Sequence, residues 1–498
     1  MTTSTHRPRF LVTAVVVSLS ASLLIAVPGS SSAAEEPLLV PALTGWTAQS
    51  DSRVVSPGVE HFRYKETKKS DARTQPRELN ILRLDPAKHP LRLESTYGTA
   101  AGVAETVRSQ LDFMDPVPIA GTNGGYFLPD GGEGIQGFGA SARDGVLLGA
   151  SCSEDRDRYS AVLQYGIPYI TKLKTVMSVS SDKDATTKYD LDDINRNPGI
   201  AMGCPREAGD TPVSYTDGGG DKHTAYADST EFVLFTDSYT RPTPTPNLNP
   251  YVASDNQLGY EVVLDANGLI TEGGPRGGRT VPKGHRILQA IGAAETAWLT
   301  DQGAKHATLK VDQELMDLAV PGLDRKITLD ESVDILAGGE QLIFNGDNRF
   351  KAKENDPNGI TIEYDSCSRI YGPDGVKKTT AAAGDICRSA RTVIGTDQFG
   401  RTVLATITGP RDTYYFDGAF YGEITASLGE LNVIDALNLD GGGSSTLLTP
   451  VLSTETPTTL MTAFTRQSGT TDRAGDAGER SVADAVYAGQ GGRFIPVP

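Results

Sequence analysis

The sequence predicts an α+β fold of mixed, largely antiparallel sheets with few helices. Three observations lead there. Apolar and polar residues alternate in short runs such as Leu79-Asn80-Ile81-Leu82-Arg83-Leu84 and Leu91-Arg92-Leu93, the period of half-buried strands. The runs 391–397 and 402–407 are strand-like and are joined by Gln398-Phe399-Gly400-Arg401, a hairpin-length connection. Helical spacing is confined to a few windows, which does not fit a repeating βαβ unit.

In chain order, Arg7 and Arg9 precede an apolar stretch from Phe10 to Val27, followed by Gly29, several serines and Ser32-Ala33-Ala34. A basic start, an apolar centre and small residues before a cleavage point predict a secretory signal peptide over 1–34. The run is short for a membrane span and is broken by Ser18, Ser20 and Ser22. No later segment reads as a span, so a secreted, extracellular or cell-envelope protein is expected. Residues 35–77 read as an irregular N-terminal segment. Residues 102–113 have helical spacing, with Val103, Val107 and Leu111 on one face, and 117–122 reads as a strand arriving at Asn123. Further strands are expected at 161–165, 231–236, 260–264, 286–291, 307–311 and 333–336. Loops are expected at 216–228 and from Thr243 to Asn256, the latter as a surface insertion or a stiff hinge. Residues 419–430 read as a helix ending near Gly429.

The formal charge is −17, and loss of Arg7 and Arg9 with residues 1–34 makes it −19. That balance argues against general binding to nucleic acid or anionic membranes, which require a basic face. A phosphodiester substrate then needs arginines placed locally. Cys152, Cys204, Cys367 and Cys387 suggest two disulfides in an exported chain, with three pairings open and the local ones, Cys152–Cys204 and Cys367–Cys387, favoured. No Cys-x-x-Cys occurs and the six histidines are scattered, which disfavours zinc. No cofactor is expected to be required. Asp217 and Asp221, around Gly218-Gly219-Gly220, lack a full oxygen-ligand loop, so a solvated loop is favoured over bound calcium.

The most informative segment is Asn438-Leu439-Asp440-Gly441-Gly442-Gly443-Ser444-Ser445, reached from a strand-like approach. Successive glycines let a ligand approach the backbone, and their N–H groups could form an anion-binding nest beside a carboxylate and two hydroxyls. A glycine-rich turn capped by Asp440 is the plainer alternative.

Three separated motifs together resemble the phosphodiester glycosidase family. Its Asn-Gly-Gly-aromatic-Phe pattern matches Asn123 to Phe127, and its Arg-Thr-x-Ile-Gly strand matches Arg391 to Gly395. Its Ala-Leu-Asn-Leu-Asp-Gly-Gly-Gly-Ser-Ser run matches Ala436 to Ser445 residue for residue, and its closing Glu-Arg-x-Val resembles Glu479 to Val482. Weaker similarity lies at Asp192 to Arg196, Phe232 to Thr236, Val281 to Gly284 and Ala337 to Leu342. After Phe127 the family usually carries a small polar or acidic residue, whereas Leu128-Pro129-Asp130 here places its acid later. The resemblance implies one catalytic domain over 78–490.

It also implies release of a sugar from a glycosyl-1-phosphodiester. A phosphate diester leaves readily, so the transition state needs a carboxylate near the anomeric carbon and cationic or N–H groups at phosphate. On that reading Asp440 is the catalytic carboxylate. Asn123, Gly124 and Asn438 would orient substrate, Arg391 and Arg480 would bind phosphate through their forked donors, and Gly441, Gly442, Gly443 and Ser444 would supply the nest. Glu133, Asp237 and Asp412 are weaker candidates for a second acid. The expected substrate is a cell-wall or extracellular glycan or sugar phosphodiester. The alternatives are a non-catalytic glycan-binding envelope protein and a hydrolase of ordinary α-glycosidic bonds.

Overall fold

The computed structural model describes residues 38–68, 76–88, 92–112, 114, 118–128, 136–137, 139–151, 158–202, 209–216, 222–246, 258–319, 325–350, 390–409, 418–450, 460–463 and 479–489. Residues 1–34, where a signal peptide is expected, all four cysteines, and Glu133, Asp217, Asp221 and Asp412 lie outside them.

The fold is mainly β, which corrects the α+β expectation. Strand accounts for 51% of the structure and helix for 10%. The described residues hold three α-helices: α1 (Val107–Asp112), α2 (Ala293–Ala304) and α3 (Tyr421–Glu430). Hairpin after hairpin leaves little chain for helices, and it is sheet faces that bury most of the apolar side chains.

One sheet runs in the order Trp46–Ala48, Val59–Glu66, Glu78–Leu84, Thr402–Thr408, Arg391–Asp397, Val433–Asn438, Gln341–Phe344, Asp347–Asn348. A second runs Leu460–Ala463, Leu447–Pro450, Ala120–Asn123, Ala485–Gly489, Arg92–Thr96. Leu82, Ile394, Leu404 and Leu437 of the first pack with Leu93, Ala120, Leu447 and Val486 of the second in one core. A third sheet, containing Ser160–Gln164 and Val333–Ala337, serves two cores at once. Ala161, Leu163 and Leu336 face the first core, while Val162, Val333 and Ile335 face a second one. Alternation with period two makes this division possible. The second core also takes Trp298 and Leu299 of α2 and the strands Glu231–Thr236, Gly259–Leu264 and Arg286–Ile291.

The 391–397 and 402–408 strands form the expected hairpin, in antiparallel register from Arg391 opposite Ile407 to Thr396 opposite Thr402. The helix expected over 102–113 is shortened to α1. Gly102 takes φ +87°, residues 105–106 pair with Ser481–Val482, and the Thr106 hydroxyl accepts the Ser109 N–H at 3.0 Å as a cap. Helix α3 ends where expected, with Asn432 at φ 61° closing on the Gly429 carbonyl. The loop expected at 216–228 instead contains a strand, Lys222–Ala227, paired with Thr211–Thr216. The described residues from Val40 onward form one compact unit.

Candidate active site

The separated motifs meet where strands of the first two sheets end. Ala120–Asn123 pairs with Ala485–Gly489, placing Asn123 opposite Ala485, and Val433–Asn438 places Asn438 opposite Val393. Asn123 joins the two ends. Its side chain is fully buried, with Oδ1 accepting the Thr392 hydroxyl at 2.8 Å and the Thr446 N–H at 3.1 Å. Its Nδ2 donates to the Asp440 carbonyl at 2.7 Å. Asn123 therefore braces the site through protein partners.

The turn after Asn123 binds a second carboxylate. The Gly125 N–H donates to Asp484 Oδ1 at 2.7 Å, and the Gly124 N–H donates to the Asp484 carbonyl at 2.9 Å. The Gly124 carbonyl accepts the Asp440 N–H at 3.1 Å. A Cβ on Gly124 would lie 2.4 Å from Asp484 Oδ1, so this approach requires glycine. Asp440 and Asp484 thus converge on one dipeptide turn from opposite sides.

Both carboxyls are less acidic than usual. Burial pushes Asp440 up to about 6, opposed by the Ser444 hydroxyl, Arg480, the Gly441 N–H and Arg158. The Ser444 hydroxyl lies near enough to favour the charged form, yet it makes no hydrogen bond by distance and angle. Burial likewise pushes Asp484 up to about 6; the Gly125 N–H opposes this and the charge of Asp440 adds to it. The charge of Asp440 thus favours a protonated Asp484 beside it.

The arginines divide differently from the sequence expectation. Arg391 is 2% exposed, donates from Nε to the Ala419 carbonyl at 3.0 Å and stacks 4.4 Å from the Tyr421 ring centre. It sits in the wall behind the site. Arg480 and Arg158 are the arginines whose charges act on Asp440, and they lie over Phe127 and Tyr126 at 5.8 and 5.4 Å. Sequence reasoning did not single out Arg158. Asp484 was missed too, although it stands two residues after the Glu-Arg-x-Val match. The order in which Arg480, Asp484 and the Ala485 strand follow one another was its available signal.

Asn438 is buried among hydroxyls. Its Nδ2 donates to Tyr126 and, at 3.0 Å, to Tyr421, whose own hydroxyl donates to Glu340 at 2.8 Å. Its Oδ1 has no hydrogen-bond partner. The triple-glycine turn folds inward. Gly441 N–H donates to its neighbour Asp440 at 2.9 Å, Gly442 N–H to the Ala390 carbonyl at 2.7 Å, and Ser444 N–H to the Gly441 carbonyl at 3.1 Å. Gly442 takes φ 58°, which favours glycine. These donors already serve protein acceptors, so the turn shapes the site more than it offers a nest. Glu479 accepts the Arg108 N–H at 2.7 Å at the start of α1 and is structural. Asp237 accepts the Gly284 N–H at 2.8 Å.

A cleft of about 80 Å³ opens beside this turn. Gly125, Tyr126 and Asp484 line it together with Tyr97, Arg143 and Arg196. Arg196 is spent there on Asp193, at 2.8 Å, and on Glu231. Among the described residues, no group of three or more His, Cys, Asp or Glu side chains is arranged to hold a metal ion. No helix among them is long and apolar enough to cross a membrane.

The sequence model of the phosphodiester glycosidase family matches residues 260–488, a span that includes Arg391, Asp440, Arg480 and Asp484. No curated protein matches the chain. In fold, the chain is similar to a Burkholderia pseudomallei K96243 protein named as an exported protein. The TM-score is 0.67 at 19% identity, over 91% of this chain and 98% of that one. A hypothetical protein from Synechocystis aligns with TM-score 0.52 at 13% identity, over 89% of this chain and 68% of that one. The zebrafish N-acetylglucosamine-1-phosphodiester alpha-N-acetylglucosaminidase catalytic domain aligns at 14% identity over 90% of this chain and 88% of that one. Its TM-score of 0.35 is too low to compare the folds.

Proposed function

We propose, starting from the family match over residues 260–488, that this chain is a secreted hydrolase releasing a sugar from a glycosyl-1-phosphodiester in a cell-wall or extracellular glycan. On this reading residues 1–34 are its signal peptide and 78–490 its catalytic domain. The observation that carries the proposal is the convergence of Asp440 and Asp484 on the Gly124-Gly125 turn, with Arg480 and Arg158 acting on Asp440.

Asp440 in its charged form stabilises the positive charge that develops at the anomeric carbon as the phosphodiester departs. Arg480 and Arg158 screen the negative charge that accumulates on the leaving phosphate. Asn123 and Gly124 hold Asp440 through its backbone, and Asn438 presents an unspent acceptor. Arg391, bonded to the Ala419 carbonyl and stacked on the Tyr421 ring, supports the chain around Tyr421.

One observation favours a second reading, hydrolysis of an ordinary α-glycoside. An alkoxide leaves poorly and needs a proton, and Asp484, raised to about 6, is suited to donate one. A phosphodiester does not need that proton.

The test is turnover of the secreted chain on sugar-1-phosphodiesters and matched aryl glycosides, with Asp440→Asn and Asp484→Asn beside it. Cleavage of the phosphodiester that Asp440→Asn abolishes supports the proposal. Preference for the aryl glycosides selects the second reading. Binding of glycan without turnover on any substrate would make the chain a non-catalytic envelope protein and overturn both.

A further inference from the structure

We infer that Arg143, set against Tyr97 in the cleft it shares with Asp484, holds a second anionic group of the substrate. The substrate class is then a glycan charged again beside the scissile linkage. This inference rests on the proposed phosphodiester hydrolysis and adds a specificity-determining residue to it.

The argument starts from unspent donors. Two arginines line the cleft. Arg196 uses its guanidinium on Asp193, Glu231 and the Asn197 carbonyl. Arg143 makes one hydrogen bond, from Nη1 to the Thr96 hydroxyl at 3.2 Å, and its Nε stands 3.6 Å from Asp144 Oδ2, a longer ionic contact. Among the described residues its remaining donors meet no acceptor at hydrogen-bond distance, although the side chain is only 17% exposed and its charge reaches the Asp334 carboxyl. The Tyr97 ring, 5.4 Å from the guanidinium carbon, supports the plane of the fork.

Chemistry then selects the ligand. A neutral group closing this cleft would leave charged donors desolvated and only partly paired, which is unfavourable. A carboxylate or phosphate matches the fork with two parallel acceptors. The Ser141 hydroxyl lines the same cleft.

The test compares three substrates with the same sugar-1-phosphodiester: a methyl ester, one whose alcohol carries a carboxylate, and one whose alcohol carries a second phosphate. Arg143→Gln should raise KM for one or both charged substrates about tenfold or more relative to the methyl ester. Whichever charged substrate responds identifies the anion. Arg143→Lys, which keeps the charge and stem packing, should give an intermediate ratio and stands in if the glutamine variant does not fold. A role confined to the fold would move all three substrates together, and an unchanged ratio overturns the inference. Calorimetric titration with inorganic phosphate separates this outcome from failure of the proposed activity, because it needs no turnover. In an Arg480→Gln background the chain should still bind phosphate, and adding Arg143→Gln or Arg143→Lys should weaken that binding. Equal affinity in both backgrounds would overturn the site even if the enzyme cleaves phosphodiesters.

Discussion

Asn123 Oδ1 accepts the Thr392 hydroxyl at 2.8 Å across 269 residues of chain. With its other bonds, to the Thr446 N–H and the Asp440 carbonyl, this one amide ties the ends of two sheets together beneath the carboxylate pair. Replacing it by alanine strips three buried partners at once. Asn123→Ala should cost about 3–5 kcal/mol of stability, measured by denaturant unfolding, and activity should fall with the loss of fold. A variant as stable as the parent would mean that the brace is replaceable.

Asp440→Asn removes the charge while keeping size and the backbone contacts with Gly124 and Asn123. Turnover on a sugar-1-phosphodiester should drop by about 10²–10⁴-fold while equilibrium binding persists, since the lost interaction is made chiefly in the transition state. Single-turnover kinetics with calorimetric binding checks both halves.

The pH dependence of stability follows from the same pair. Unfolded, both groups titrate near 3.8; folded, both are raised to about 6. Between those values the folded chain binds more protons than the unfolded one, so their contribution is fully present below pH 4 and is lost as pH rises through about 6. Asp440→Asn and Asp484→Asn should each raise the melting temperature at pH 7.5 and have much less effect at pH 4, a difference of about 1–2 kcal/mol after allowance for partial exposure. The activity profile should distinguish substrates. Phosphodiester cleavage should rise through pH 6 to a plateau, whereas an aryl glycoside with a poor leaving group should give a bell centred near 6.

Arg391→Lys keeps a charge but loses the planar contact with Tyr421 and the geometry of the bond to the Ala419 carbonyl. The expected result is a loss of about 1–3 kcal/mol of stability, with cleavage of charged and uncharged substrates reduced alike. A loss confined to the phosphodiester would restore Arg391 as a phosphate ligand.

Much of the scaffold is visible in the residues themselves. The 391–397 and 402–408 hairpin and the strands leading to Asn123 and Asn438 follow from alternation and glycine-containing connections. Residues 102–106 carry helical spacing, yet Gly102 and the pairing of 105–106 divert them from α1. Helix α2 escaped notice; its Trp298 and Leu299 are buried without a clear apolar stripe around them. At the site, Asp440 stands in a run whose composition draws attention. Asp484 and Arg158 stand in ordinary sequence, and their importance comes from long-range pairing that no local pattern encodes. The burial of Arg391 was equally hidden, since the strand position that exposes a side chain on one sheet face covers it on the other.

The Ala485–Gly489 strand lies between Ala120–Asn123 and Arg92–Thr96, two strands from the first third of the chain. In chain order those two come first, and the strand that fills the position between them comes hundreds of residues later. Asp484, immediately before that strand, arrives with it. The chain therefore cannot assemble its carboxylate pair until that strand has been made. A nascent or C-terminally clipped form lacks both the closing strand and half of the pair. Docking of that one strand therefore closes the sheet and completes the carboxylate pair in a single step.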